Sequence, residues 1–137
     1  MTSIELKNHP VWHDLSEILQ NIDANTLAKE HLSLCNYKVC GYWDEQDKYY
    51  EEITLPRTLE AELTSSSIGI THNKRFLQLK FILTVSRNGV EDNLSPNNRQ
   101  SIGDLELIYD ENLEFIDENW QLDIDSPYLD IQHALQE

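Results

Sequence analysis

The side chains with the most chemical potential in this chain are carboxylates, and they are unevenly placed. Residues 101–137 hold eleven acids: Asp104, Glu106, Asp110, Glu111, Glu114, Asp117, Glu118, Asp123, Asp125, Asp130 and Glu137. That stretch has no Lys and no Arg. Residues 1–100 carry fourteen acids against ten bases, a balance of −4 within the chain's total of −15. Carboxylates at this density can accept charge-assisted hydrogen bonds from Lys or Arg, or ligate a metal ion. They also repel one another, which weakens a compact state unless a cation relieves them. A field of this sign disfavours nucleic acid and anionic membrane, and favours basic proteins and polycations. The plain structural alternative is a solvated acidic face that only confers solubility.

Other reactive residues form weaker patterns. His9 and His13 stand four apart, a spacing that can ligate a metal from one helix face, but no third ligand accompanies them. Cys35 and Cys40 lack the second pair a zinc site needs. Five residues apart on a strand they point to opposite faces, so buried free thiols are expected rather than a disulfide. No spacing brings either thiol to a particular histidine as a nucleophile pair. The run from Asp123 to Asp130 lacks the glycine and terminal glutamate of a calcium loop. Glu51 with Glu52, or Glu60 with Glu62, would serve as an acid–base pair only if the fold converged them. No motif specific to a known family is present. No metal, no cofactor and no catalytic residue is expected, and the chain is read as a non-enzyme.

The elements that must position these groups follow from hydrophobic period. Residues 10–22 read as a helix, with Pro10 at its start and Val11, Leu15, Ile18, Leu19 and Ile22 on one face. Residues 24–30 read as a second short helix capped by Asp23 or Asn25. A strand over 32–43, a polar loop over 44–48 and a returning strand over 49–55 form an aromatic-rich hairpin. Thr58 caps one or two helical turns over 59–63, and Ser65–Ser67 links these turns to the next strand. Residues 68–71 and 76–85 form a second hairpin around His72, Asn73 and Lys74, with Leu77, Leu79, Phe81, Leu83 and Val85 on one face. Residues 87–100 read as a loop. Residues 102–109 and 113–124 form a third hairpin around Asp110, Glu111 and Asn112. Pro127 ends it, and 128–136 read as a terminal helix.

The expected fold is one α+β domain over residues 1–137: an antiparallel sheet of five or six strands built from successive hairpins, with N- and C-terminal helices packed on one face. Absence of a basic–apolar leader and of any long apolar run points to the cytoplasm. On that sheet Asp104 and Glu106 are expected to meet Asp117 and Asp123 across the strands of the outer face, with Asp110 and Glu111 crowning the turn. Like charges so placed are mutually destabilising, which argues for a binding role.

The leading functional expectation is a non-enzymatic acidic binding protein that neutralises a basic partner. An immunity protein or inhibitor of a nuclease-type toxin, or of another nucleic-acid-binding protein, fits that description. Its contact residues would be Asp104, Glu106, Asp110, Glu111, Glu114, Asp117 and Asp123, with Trp120 or Tyr109 as anchors where exposed. Direct nucleic-acid binding and membrane binding are not expected. A second reading is a small-ligand or enzymatic domain with a pocket between helices and curved sheet, using Tyr37, Tyr42, Trp43 and His31. A third is an adaptor or structural subunit whose acidity serves solubility.

Overall fold

The computed structural model describes residues 9–86 and 99–132. Of the expected loop over 87–100, residues 87–98 lie outside the described residues and Arg99 and Gln100 are strand; of the expected terminal helix over 128–136, residues 133–136 lie outside them. The order of elements is α1 (Val11–Asn21), α2 (Ala24–Leu34), β1 (Lys38–Trp43), β2 (Tyr49–Thr54), β3 (Glu60–Thr71), β4 (Lys74–Ser86), β5 (Arg99–Asp110), β6 (Phe115–Leu122) and β7 (Asp130–Gln132).

The fold is α+β with antiparallel sheets, but the strands divide between two sheets rather than forming one. Strands β3-β4-β5-β6 make a four-stranded meander, and β1-β2-β7 make a three-stranded sheet. The split has a local cause. Pro56 lacks an N–H and breaks the ladder after β2, and the chain restarts as β3 in a new sheet. The return is made by β7, whose Ile131 pairs with Ile53 of β2.

The core lies on the inner face of the four-stranded sheet. Leu77, Leu79, Phe81, Leu83 and Val85 of β4 alternate inward, and Leu105, Leu107 and Tyr109 of β5 stand beside them. Ala28 and Leu32 of α2 and Tyr42, Tyr50 and Ile53 of the smaller sheet complete it. Each large apolar side chain so buried contributes about 1.5–3 kcal/mol.

Several expectations need correction. Leu32 belongs to α2, which runs on to Leu34, because its apolar side continues the helical period into the core. Residues 59–63 are not helical: Glu60 opens a twelve-residue strand that absorbs the three serines, with a β-bulge between Leu63 and Ser65. The ladder to β4 outweighs the weak helical signal of so short a stretch. Residues 130–132 are strand, not helix. α1 forms as expected but fully buries no residue; it meets the core through the half-buried Leu19, while α2 buries Ala28 and Leu32. Cys35 is half-buried and Cys40 exposed, both as free thiols, so neither is the core residue expected.

Turn chemistry matches the sequence closely. His72 and Asn73 both take positive φ, 52° and 64°, as a two-residue hairpin requires. Asp23 caps α2 by accepting from the Thr26 N–H and hydroxyl at 3.2 and 2.7 Å.

Candidate functional site

An open acidic cleft separates the tip of the β1–β2 hairpin from the end of the β5–β6 pair. Its larger lobe, about 790 Å³, is lined by Asp44, Glu45, Asp104, Asp123, Asp125 and Lys48 among others. An adjoining lobe of about 410 Å³ shares Tyr42, Asp44, Glu45, Asp104 and Gln121, and adds Glu106, Lys80, Trp43 and Trp120. Six carboxylates thus face two lysines across both lobes.

Three local devices hold this arrangement. Asp44 closes the hairpin loop, its Oδ1 accepting from the N–H groups of Gln46 and Lys48 at 2.8 and 2.9 Å. Its Oδ2 accepts from the Tyr50 hydroxyl at 2.9 Å. The Lys48 N–H in the first place, with the Tyr50 hydroxyl and Gln46 N–H behind it, holds Asp44 below the ordinary carboxylate value. Burial, then the Asp44 bond and charge, pushes the Tyr50 phenol above its ordinary value. The hairpin is pinned to β6 at two points. The Leu122 N–H donates to the Tyr42 hydroxyl at 2.9 Å, and the Gln121 amide donates to Glu45 at 2.9 Å. The floor depends on Gly103, which has φ +151° and lets the Gln121 and Leu122 backbone approach.

The carboxylates share the outer face as expected, with Asp123 diagonal to Asp104 and Asp117 diagonal to Glu106, but no acid stands directly opposite another. Asp104 stands opposite Gln121, Glu106 opposite Asn119, and Asp117 opposite Ile108. Asn119 donates to Glu106 at 3.0 Å. On the other side of β5, Lys80 pairs in register with Glu106. Acids on this face therefore alternate with amides, a lysine and isoleucines, which lowers the self-repulsion expected from sequence. A β-bulge between Ile108 and Tyr109 sets this register and brings Phe115, not Ile116, opposite Tyr109 on the inner face.

Of the residues expected to contact a partner, Asp104, Glu106, Asp123 and Trp120 reach the cleft. Asp110, Glu111 and Glu114 sit at the far turn, roughly 20 Å along the strands. There Asp110 accepts from the Asn112 and Glu114 N–H groups at 2.9 and 3.0 Å, and Glu111 pairs with Arg75 at 3.1 Å. Asp117 accepts from the Glu118 N–H at 2.8 Å. Tyr109 is 6% exposed and cannot serve as an anchor, since its strand face is the core.

Sequence reasoning missed Asp44, Glu45 and Asp125. The loop Asp44-Glu45-Gln46-Asp47 was legible as acidic and polar, but nothing local says it folds against β6. Among the residues expected to line a ligand pocket, Tyr42 and Trp43 reach the cleft. His31 instead bonds Glu118 beneath Phe115, and Tyr37 lies against the Arg57 guanidinium. The described residues contain no group of three or more His, Cys, Asp or Glu placed to hold a metal ion. No helix among them is long and apolar enough to cross a membrane.

The His31–Glu118 bond ties α2 to β6 and is partly shielded, with the His31 side chain 12% exposed. Glu118→Ala is expected to cost about 1 kcal/mol, a fall in Tm of roughly 4 °C by calorimetry. Glu118→Gln, which keeps an acceptor, should recover much of it.

Acid sensitivity follows from Asp23 and Asp44, both held below the ordinary 3.8. The Thr26 hydroxyl is the main cause for Asp23 and the Lys48 N–H for Asp44. The unfolded chain takes up these protons first as pH falls, so their stabilisation is complete above 3.8 and fades on descending through the lowered values. Urea midpoints of Asp23→Asn and Asp44→Asn should therefore fall less steeply than the parent's below pH 4.

No protein-family model, no curated protein and no solved structure matches this chain. Its class rests on its own architecture: an α+β protein of two antiparallel sheets with a carboxylate-lined cleft between a hairpin tip and a sheet edge.

Proposed function

We propose that this protein is a non-enzymatic acidic binder of a basic protein, of the immunity-protein or inhibitor kind, acting on a nuclease-type toxin or another nucleic-acid-binding protein. The observation that carries this reading is the cleft, where Glu45, Asp104, Glu106 and Asp125 converge from three separate chain segments with only Lys48 and Lys80 to offset them. Cationic clefts that bind phosphates present Lys and Arg, and carboxylates can replace phosphate oxygens by charge-assisted hydrogen bonds. Trp43, 60% exposed and packed on Tyr49 at 4.9 Å, offers an aromatic face at the cleft's rim for a guanidinium. The two strand-pinning bonds and the Asp44 loop keep the array rigid, so little ordering entropy is lost on binding.

The test is capture from native lysate at low salt with elution by a salt step, followed by association kinetics with the recovered protein. One basic protein at 1:1 stoichiometry, with an association rate that falls steeply as salt rises, is the expected result. Recovery of none, or of a partner whose binding ignores salt, ends the proposal.

A further inference from the structure

We propose that two copies of this chain join edge to edge through β3, pairing antiparallel about a two-fold axis near Ser67 to make one continuous eight-stranded sheet. Among the described residues β3 hydrogen-bonds only to β4, so one side of a twelve-residue strand carries unpaired N–H and C=O groups. Native edges of that length are ordinarily blunted by charge, proline, a β-bulge or coverage; on β3 these devices are confined to one end, where Glu60, Glu62, the bulge after Leu63 and the α1–α2 connection beside Leu63 lie. The opposite edge obeys this rule: β6 carries Asp117 and Glu118, and Tyr42 caps its Leu122 N–H. From Leu63 to Thr71, β3 has no charged residue and no proline.

The occupant is identified by what the strand places at its two ends. With Ser67 facing its own copy, and the bulge after Leu63 taken into account, Ile70 of one chain falls beside Leu63 of the other. Ile70 is 72% exposed and Leu63 37%, and pairing covers both, twice over by symmetry. Glu62 falls opposite the second copy's Thr71, whose own ladder partner is Lys74. Glu62 and Lys74 thus share one row about 10 Å apart at the backbone, a gap that two long side chains can span, and neither has an ion-pair partner among the described residues. An edge with an apolar spot and an acid at one end, and an apolar spot and a base at the other, complements its own reverse. That complementarity matters because two chains of −15 otherwise repel. The cleft lies beyond β5 and β6, so the pairing leaves both clefts open and stands whether or not the cleft binds a basic protein.

Sedimentation equilibrium of the full chain in physiological salt, at loadings up to roughly 0.5 mM, reads the outcome. The mass should rise with concentration from 16.0 kDa toward twice that value. Ser67→Lys sets two lysines face to face on the axis and should raise the dissociation constant roughly tenfold or more. Glu62→Lys should weaken the dimer, and Glu62→Lys with Lys74→Glu should restore it, with far-UV circular dichroism and Tm confirming that each variant folds. A monomer at every loading overturns the proposal. So does a dimer that Ser67→Lys leaves intact but Trp12→Glu abolishes, which puts the contact on α1. So does a monomer that instead accepts another protein's strand.

Discussion

Converting Glu45, Asp104, Glu106 and Asp125 together to their amides should lower the association rate with the basic partner by about a hundredfold at low salt. The variant Glu45→Gln, Asp104→Asn, Glu106→Gln, Asp125→Asn leaves the hydrogen-bonding capacity of the cleft and removes its charge. Fold stability should hold or improve. The Asp104 side chain accepts no hydrogen bond among the described residues, and Glu45 and Glu106 each accept one from an amide that another amide can replace. A control with the same net charge, Asp14→Asn, Glu17→Gln, Glu30→Gln and Glu51→Gln, removes acids away from the cleft. At physiological ionic strength it should change the rate by no more than about threefold, because exposed charges beyond a Debye length of about 8 Å are screened there. Equal losses in both variants would show that overall charge, not the cleft, steers association. The salt dependence should flatten only in the cleft variant.

Gly103→Ala carries the largest stability penalty expected of any single methyl addition in the described chain, about 3 kcal/mol. Two effects combine. At φ +151° a side chain is strained wherever it points. The new Cβ would also stand 2.6 Å from the Gln121 carbonyl oxygen and 2.9 Å from the Leu122 Cα, both backbone atoms of the paired strand. Relief requires β6 to move, which stretches the Leu122–Tyr42 and Gln121–Glu45 bonds that pin the hairpin. A Tm lower by roughly 10 °C is expected, with weaker partner binding. Two other glycines set the scale. At Gly41 the nearest atom to an added Cβ is 3.6 Å away, so only its φ of +70° resists. At Gly69 the obstacle is the end of the Phe76 ring at 2.3 Å, a side chain that can swing aside. Both alanine variants should cost less than Gly103→Ala. A Gly103→Ala protein as stable as the parent would mean the β5–β6 contact is looser than described.

Period and turn chemistry in the sequence located most strands and both described helices. The alternation Leu77, Leu79, Phe81, Leu83, Val85 reads directly as a one-sided strand, and all five are buried. What failed had short or mixed signals. Residues 59–63 are too few to distinguish a helical turn from a strand start, and residues 130–132 are strand only because β2 offers them a partner. The acidic hairpin was legible as an element but not in its register. A single bulged residue, Ile116, left unpaired opposite the Ile108–Tyr109 step, decides which side chain each carboxylate meets.

Composition and order of residues by themselves determined the class of elements, the sign and concentration of charge, and the apolar stripe that becomes the core. These are local properties, set by side-chain type and by a spacing of two or 3.6 residues. Tertiary structure alone decided that the strands form two sheets. It also decided that Asp44 and Glu45 meet Asp104 and Asp125 across a cleft, and that β3 is left with an open edge. Those outcomes depend on contacts between residues as distant as Tyr42 and Leu122, whose pairing no local pattern encodes.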